Sequence, residues 1–152
     1  MENRPLKYCY DYPRPALTAD IVLFNSDATA VLLIRRGNDP YKDCWAFPGG
    51  FFDMTDRDIE HTAARELEEE TGITGIALRM AHVASREGRD PRGRTVSVIF
   101  TARTDPDKVR PQGGDDAAEA RWFNIGQLPP LAFDHDEVLR KVLDSDATKR
   151  SL

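Results

Sequence analysis

The chain has 152 residues, of which 40% are hydrophobic and 31% are charged, and its 26 acidic and 21 basic side chains give a formal net charge of -5. This length fits one compact domain, and the apolar content is too high for a disordered chain. The longest apolar run, residues 30–34, is far shorter than the roughly 20 residues of a transmembrane helix. We therefore expect a soluble protein with no membrane partner and, because the charge balance is acidic, no nucleic-acid partner.

The cysteine content and the N-terminus predict a cytoplasmic protein. Cys9 and Cys44 are the two cysteines, too few for a disulfide framework or a cysteine-based metal cluster. The first residues carry charge but lack the apolar stretch and cleavage site of a signal peptide. A reducing compartment is therefore the expectation.

Tyrosine and proline are frequent in residues 1–15, which predicts an extended N-terminal arm. An edge strand or a flap on the core is favoured over a recognition tail. Residues 16–24 and 30–35 are β-branched and apolar and flank a turn signal at 25–27, so they predict a hairpin. Residues 37–50 are punctuated by proline and glycine and predict a loop.

Helical periodicity over residues 57–71 ends at Gly72, the position expected for a C-terminal capping glycine. A capping-box pattern at residues 134–137 predicts the start of a C-terminal helix. Further strands are predicted at residues 76–85, 95–103 and 119–123. The predicted fold class is α/β (α+β), a mixed sheet with helices in a single domain at residues 16–145, followed by a tail at 146–152.

Acidic side chains are concentrated at residues 65–72, Arg-Glu-Leu-Glu-Glu-Glu-Thr-Gly. The simplest interpretation of such a block is a solvated helix face. At about 100° per residue, however, Glu66, Glu69 and Glu70 share an arc of about 100° beside the core-facing stripe. Like charges at i,i+4 spacing repel each other, so the arrangement indicates a bound cation, and carboxylate oxygens suit Mg²⁺ or Mn²⁺. Arg65 lies about 40° from Glu69 and can orient it.

A rigid turn, Trp45-Ala46-Phe47-Pro48-Gly49-Gly50, precedes this helix. The glycine pair lets the backbone approach a ligand closely, and an unpaired carbonyl there can complete a metal shell. Phe47 is a candidate for stacking on a substrate base, although aromatic residues at such a junction more often serve packing. Pro-Gly-Gly alone is a weak signal, whereas its combination with the acidic helix is specific.

Pro48-Gly49-Gly50 together with residues 65–73 resembles the Nudix box, G-x5-E-x7-R-E-U-x-E-E-x-G-U, in which U is an aliphatic residue. The second half matches at every fixed position. The first half is one residue too long, and strict spacing back from the second half places Arg57 at the early glutamate. Asp56 or Asp58 is the expected substitute.

The resemblance covers most of the chain and implies a Nudix fold, in which a mixed β-sheet is sandwiched between helices. It also implies metal-dependent hydrolysis of a nucleoside diphosphate linked to another moiety, with Mg²⁺ or Mn²⁺ as the cofactor. By the same resemblance, Glu66, Glu69 and Glu70 are the expected metal ligands, together with the Gly49 carbonyl. Glu66 and Glu69 are also expected to act in catalysis, with Arg65 as their orienting partner.

A further acid is implied by the resemblance to MutT-like members, where it comes from a loop before a late strand that bears a tryptophan. Asp116 stands six residues before Trp122 and is the expected catalytic residue, as an extra metal ligand or a general base. Asp115 and Glu119 are the next candidates. A solvated turn is the alternative interpretation of this loop.

Four arginines within nine positions lie between two predicted strands, namely Arg86, Arg89, Arg92 and Arg94. Arginine suits bidentate phosphate contacts and stacking on bases, so these residues are candidates for substrate binding. The alternative is an exposed loop whose arginines pair with nearby acids. This stretch and residues 131–135 resemble the branch of the family that contains ADP-ribose pyrophosphatases and related NAD-pathway regulators.

The resemblance therefore favours an enzyme that hydrolyses ADP-ribose to AMP and ribose 5-phosphate. The alternatives are a nucleoside triphosphate pyrophosphatase and a non-catalytic Nudix-fold ligand sensor. Regulators of this branch carry a DNA-binding domain after the Nudix domain, and because the sequence ends at Leu152 we expect a stand-alone hydrolase. The expected partner is a small nucleotide substrate, and a homodimer through the arm stays open.

Overall fold

The computed structural model describes the backbone of residues 8–109 and 117–150, and the side chains of these residues apart from 117, 118 and 147–150. Strands and helices follow one another along this part of the chain. They are β1 (Ala16–Asn25), β2 (Ala30–Arg36), β3 (Trp45–Ala46), β4 (Gly49–Phe51), α1 (Ile59–Thr71), β5 (Arg79–Ala84), β6 (Thr95–Thr104), β7 (Ala117–Asn124) and α2 (His135–Arg150). Short 3-10 turns follow β6 and β7, at Pro106–Lys108 and Ile125–Gln127.

These strands form one mixed sheet. Its main path is β3-β2-β1-β6-β5, while β4 pairs with β1 and β7 pairs with β2. β1 and β6 run parallel along all ten residues of β1, and the other described pairs are antiparallel. Residues 18–24 of β1 are all buried, because the strand is central and both of its faces are covered. This explains why its hydrophobicity is continuous along the sequence instead of alternating.

Each face of the sheet is covered by one helix. On one face, alternate side chains of β1 pack with α1. The core residues shared there include Ala19, Ile21, Leu23, Ala63 and Leu67. On the other face, the intervening side chains of β1 pack with α2. The core residues shared there include Val22, Phe24, Val138, Leu139 and Val142. The predicted mixed sheet between helices is confirmed.

Helix α1 begins and ends at residues that cap it. The Asp58 carboxylate accepts a hydrogen bond from the His61 backbone N–H at 2.7 Å, as an N-cap side chain does. Gly72 has a left-handed conformation, with φ of 76°, and donates its N–H to the Glu68 carbonyl at 2.8 Å. Glycine adopts this conformation without steric cost. The predicted C-terminal end is confirmed, and the helix starts two residues later than predicted because Asp58 caps it.

The prediction of a loop at residues 37–50 is wrong in part, because β3 and the start of β4 lie there. β4 pairs with β1 in the register Thr18↔Phe51 and Asp20↔Gly49. The glycine that signals a turn in the sequence is a strand residue at a close approach, since a Cβ on Gly49 would overlap the Asp20 carboxylate. Hydrophobic periodicity needs several residues of one pattern, so it does not detect strands this short.

The two ends of the chain were predicted as an arm and a tail. Residues 8–15 lie outside regular secondary structure and are exposed, while residues 1–7 of the predicted arm lie outside the described residues. Helix α2 continues to Arg150, through most of the predicted tail at 146–152. Within residues 8–109 and 117–150, no helix is long and apolar enough to cross a membrane.

Leu67 connects α1 to the sheet, and its replacement tests the packing of this face. The side chain is fully buried in the core cluster on the α1 side. We expect Leu67→Ala to lower the free energy of unfolding by about 2–5 kcal/mol, because the truncation leaves a cavity. Urea unfolding followed by circular dichroism measures this change. Glu68→Ala on the exposed side of the same helix is the matched control, and an equal loss in both variants would contradict the packing described here.

Candidate active site

The site forms where β4 passes between α1 and β1. A Cβ on Gly50 would overlap the Glu66 carboxylate, and a Cβ on Gly49 would overlap the carboxylate of Asp20. At Gly49 a Cβ would also overlap the backbone of Ala19 and Asp20, so only glycine fits there. The Gly-Gly pair therefore sets two acidic side chains against the backbone of one short strand.

Glu70 is the most unusual acid of this group. Its side chain is buried, at 8% exposed, and its Oε2 atom has no hydrogen-bond partner among the described residues. Burial raises the pKa of Glu70 to about 9, and the negative charges of Glu66 and Asp20 add to this effect. The Gly49 backbone N–H forms a hydrogen bond with the carboxylate and opposes the shift. Burial also raises the pKa of Glu66.

Asp20 belongs to this group and was missed by the sequence analysis. Burial raises the pKa of Asp20 to about 7, although the nearby positive charge of Arg89 and a hydrogen bond with Ser97 lower it. The available signal was a single acid inside the apolar run of β1, because a buried acid with a shifted pKa suggests a functional role.

Arg65 links the acids of α1 to the loop before it. Its Nε and Nη2 atoms donate to the two carboxylate oxygens of Asp56 at 2.8 and 2.9 Å. Its Nη1 atom donates to Glu66 at 2.8 Å and to Glu69 at 3.1 Å. The hydrogen bonds from Arg65 hold the pKa of Asp56 well below its usual range. One guanidinium thus fixes three carboxylates in place.

The structure distinguishes between the two aspartates that were expected to replace the early glutamate of the box. Asp56 stands six residues after Gly50 and holds Arg65, whereas Asp58 caps helix α1. The additional residue of the box therefore falls between Asp56 and Arg65, at the start of the helix. The departure from the Nudix pattern changes the spacing and keeps an acid beside the arginine.

The donor set fits a hard divalent cation without forming a ready-made cage. The described residues contain no group of three acids, histidines or cysteines already arranged around a metal position. Arg65 engages one oxygen each of Glu66 and Glu69. The orphaned Oε2 of Glu70 and the crowding of Glu66 and Asp20 against it are nevertheless features that a bound Mg²⁺ or Mn²⁺ would satisfy, because such ions take oxygen ligands.

Of the three acids predicted as candidates before Trp122, the structure describes only Glu119. Asp115 and Asp116 lie outside the described residues. Glu119 lies on β7, where its carboxylate forms ion pairs with Arg35 and Arg121. The carboxylate of Glu119 is therefore already paired with arginines of β2 and β7.

The four arginines of the 86–94 loop are held by different partners. Arg89 is buried and donates to both oxygens of Asp134 and to Ser97. Arg86 forms an ion pair with Glu137, and Arg94 donates to the Ser85 carbonyl. These contacts hold Arg89 inside the protein, and because it also lines the pocket that contains Glu66 and Glu70, substrate binding by Arg89 stays a prediction. For Arg86 and Arg94, these contacts match the alternative of an exposed, internally paired loop.

Arg92, like Arg89, lines the pocket that contains Glu66 and Glu70, but its side-chain hydrogen bonds involve only one edge of the guanidinium, formed by Nε and Nη2. Its Nε and Nη2 atoms donate to Asp90 at 3.1 and 2.8 Å. Its guanidinium lies over the ring of Phe51 at 4.9 Å from the centroid. The pocket has a volume of about 380 Å³. Gly49, Glu66 and Glu70 line it together with Phe51 and Arg92.

Phe47 is among the residues that line this pocket, but its ring is packed in the core. The side chain is 2% exposed and stacks on His135 with the ring centroids 4.8 Å apart. The backbone N–H of Phe47 also donates to Nδ1 of His135 at 3.1 Å. This packing against α2 matches the alternative that Phe47 serves the core, and stacking on a substrate base stays a prediction.

The burial of His135 makes the stability of the fold depend on pH. Burial lowers the pKa of His135 to about 4, so the folded protein keeps this ring neutral while the unfolded chain protonates it below about pH 6.5. Between these values the unfolded state binds more protons, and stability falls as the pH is lowered. We expect this residue to account for a loss of up to about 3 kcal/mol by pH 4.

Urea unfolding of the wild type and His135→Asn between pH 8 and pH 4 measures this contribution. Asparagine keeps an acceptor for the Phe47 N–H but does not titrate. The variant should be less stable at neutral pH and lose less stability on acidification. Parallel pH profiles for the two proteins would show that His135 does not carry the dependence.

Comparisons with known proteins place this site in a family. The NUDIX domain family matches residues 14–144. The ADP-ribose pyrophosphatase of Methanocaldococcus jannaschii is 36% identical over 140 residues, which are 92% of this chain and 80% of that protein. The ADPR responsive transcriptional repressor NtrR of Acinetobacter baylyi is 36% identical over 86% of this chain, but the match spans only 54% of that protein.

A solved structure agrees with these matches. It is the NUDIX domain of Shewanella oneidensis NrtR complexed with ADP ribose, with a TM-score of 0.79, 30% identity, and coverage of 93% of this chain and 91% of that chain. The family match and the 36% identical pyrophosphatase both extend over most of the chain and include the acidic helix and the glycine pair. The chain therefore belongs to the Nudix family, and it is a Nudix hydrolase.

Proposed function

We propose that the protein hydrolyses the diphosphate of ADP-ribose, giving AMP and ribose 5-phosphate, with Mg²⁺ or Mn²⁺ as its cofactor. The observation that carries the proposal is a group of three neighbouring acids that line one pocket, namely the buried Asp20 and Glu70 and the half-buried Glu66. The choice of ADP-ribose is supported by the similarity to the pyrophosphatase of M. jannaschii and to the S. oneidensis NrtR domain that was crystallised with ADP ribose.

The metal would be held by Glu66, Glu69, Glu70 and the carbonyl of Gly49. When bound, such an ion neutralises diphosphate oxygens and lowers the pKa of water that attacks phosphorus. In the reaction, the oxygen of water bonds to one phosphorus and the bridging P–O bond breaks, so that each product leaves with one phosphate.

The protein supplies orientation and charge for this reaction. Arg65 fixes Glu66 and Glu69, and Asp56 fixes Arg65. Arg92 offers a cationic group at the pocket for the anionic substrate. Asp116 is proposed as a further metal ligand or as the general base, on the strength of its position before Trp122. The proposed location is the cytoplasm.

A second candidate function is a sensor that binds ADP-ribose without turnover. The similarity to the ADPR responsive repressor of A. baylyi favours it, and the sensor would use the same pocket. The third candidate is a hydrolase of nucleoside triphosphates, which differs from the first only in its substrate. Turnover separates the sensor from the two hydrolases, because a sensor binds and does not cleave, and the preferred substrate separates the two hydrolases from each other.

The direct test is the release of AMP and ribose 5-phosphate from ADP-ribose, measured with and without Mg²⁺ or Mn²⁺ and compared with a panel of nucleoside triphosphates. We expect metal-dependent turnover with the highest kcat/KM for ADP-ribose. Faster cleavage of a triphosphate would show that the triphosphate, and not ADP-ribose, is the preferred substrate. Tight ADP-ribose binding without cleavage of any compound would support the sensor.

Glu70→Gln tests whether the buried acid serves the metal. Glutamine has the size and neutral charge of the protonated carboxyl that burial favours in the metal-free fold, so we expect the fold to be retained. We expect turnover to fall on the order of 100-fold, because a charged ligand for the cation is lost. Glu68→Gln removes the same charge at an exposed position of the same helix and should change turnover little. Equal activity of the two variants would contradict the role given to Glu70.

A further inference from the structure

Among the aromatic residues that line the pocket in the described chain, Phe51 is the most exposed. The aromatic side chains at the pocket are Phe47, Phe51, Phe133 and His135. Phe47 and His135 are buried and stack on each other. Phe133 is half-buried, and rings or guanidinium groups of four other residues surround it. Phe51, by contrast, is 45% exposed, although burying such a ring is what favours folding.

The strand register places this ring beside the acidic end of the pocket. Phe51 lies opposite Thr18 on β1, and Gly49 lies opposite Asp20. Residues directly opposite each other in an antiparallel pair point to the same face, and so do residues two apart in a strand. The ring is therefore on the face of β4 that carries Gly49, about 7 Å further along the strand.

Arg92 is fixed over the ring by a buried acid. Both Nε and Nη2 of Arg92 donate to Asp90, and so does its backbone N–H, at 2.9 Å. The Asp90 side chain is only 4% exposed. A buried carboxylate that holds a partly exposed arginine gives the guanidinium one fixed position, 4.9 Å from the Phe51 centroid. The ring is thus supported by a cation–π contact and keeps exposed surface.

We propose that Phe51, supported by Arg92, is the platform on which the base of a bound nucleotide stacks. An exposed aromatic ring next to a phosphate-binding site suits a planar heteroaromatic group, and stacking of this kind does not depend on base identity. The inference rests on the proposed function, since it takes the ligand of the pocket to be a nucleotide. It adds to the proposed function by naming the residue that contacts the nucleotide base.

The two products of ADP-ribose cleavage provide matched probes, because AMP carries a base and ribose 5-phosphate does not. Binding of each is measured by isothermal titration calorimetry with Mg²⁺ present. We expect the wild type to bind AMP more tightly than ribose 5-phosphate. Phe51→Ala should weaken AMP binding by about 5- to 150-fold, the range for loss of one stacked base, and should leave ribose 5-phosphate binding within about twofold.

Three further variants separate stacking from a general structural effect. Phe51→Trp keeps a stacking surface and should bind AMP within a few-fold of the wild type. Met54→Ala truncates another exposed apolar side chain three residues away, outside the pocket, and should bind both probes normally. Arg92→Lys keeps the charge but loses the planar group that Asp90 fixes, so it should weaken AMP binding less than Phe51→Ala does. Thermal unfolding of each variant reports on the fold.

The inference is overturned if Phe51→Ala binds AMP as the wild type does, if it loses both probes equally while remaining folded, or if the wild type has no preference for AMP. These outcomes are distinct from failure of the proposed function. If the protein binds AMP through Phe51 but does not cleave ADP-ribose, the stacking role of Phe51 is supported and the proposed function is contradicted. If Phe51→Ala cleaves ADP-ribose with an unchanged KM, the stacking role is contradicted and the proposed function is supported.

Discussion

The close approach of β4 to both α1 and β1 is the constraint on which the site depends. Because Gly49 and Gly50 have no side chains, this strand passes directly against Asp20 on one side and Glu66 on the other. Glu70 completes the group. Asp20 and Glu70 are buried and Glu66 is half-buried, so burial and the neighbouring acids make it costly for all three to be ionised together. Buried like charges cost stability, so a cation that binds among them gives the arrangement a physical reason.

Two arginines organise the pocket around this acidic end in similar ways. Arg65 is held by Asp56 and in turn holds Glu66 and Glu69, while Arg92 is held by Asp90 and lies over Phe51. In each case a well-buried carboxylate fixes the guanidinium before any ligand arrives. Side chains fixed in advance lose less entropy on binding, which would favour binding of the proposed ADP-ribose substrate.

Much of the fold could be predicted from the sequence because its signals are local. The helix ended at Gly72, and the central strand is an unbroken apolar run. The site was less predictable where partners come from distant segments. Arg89 pairs with Asp134, 45 residues away, and loop composition cannot show that it is buried. Asp20 was missed because its surroundings, which include Arg89, Ser97 and Glu66, come from segments distant in the sequence.

Direct measurement of Mn²⁺ binding by electron paramagnetic resonance tests the central claim, that the buried acids hold a divalent cation. Free Mn²⁺ is quantified during titration of the wild type, of the double variant Glu66→Gln/Glu70→Gln, and of Glu68→Gln. The account predicts that the wild type and Glu68→Gln bind the ion with similar affinity and that the double variant loses this binding while remaining folded. Equal binding by all three proteins would contradict the account.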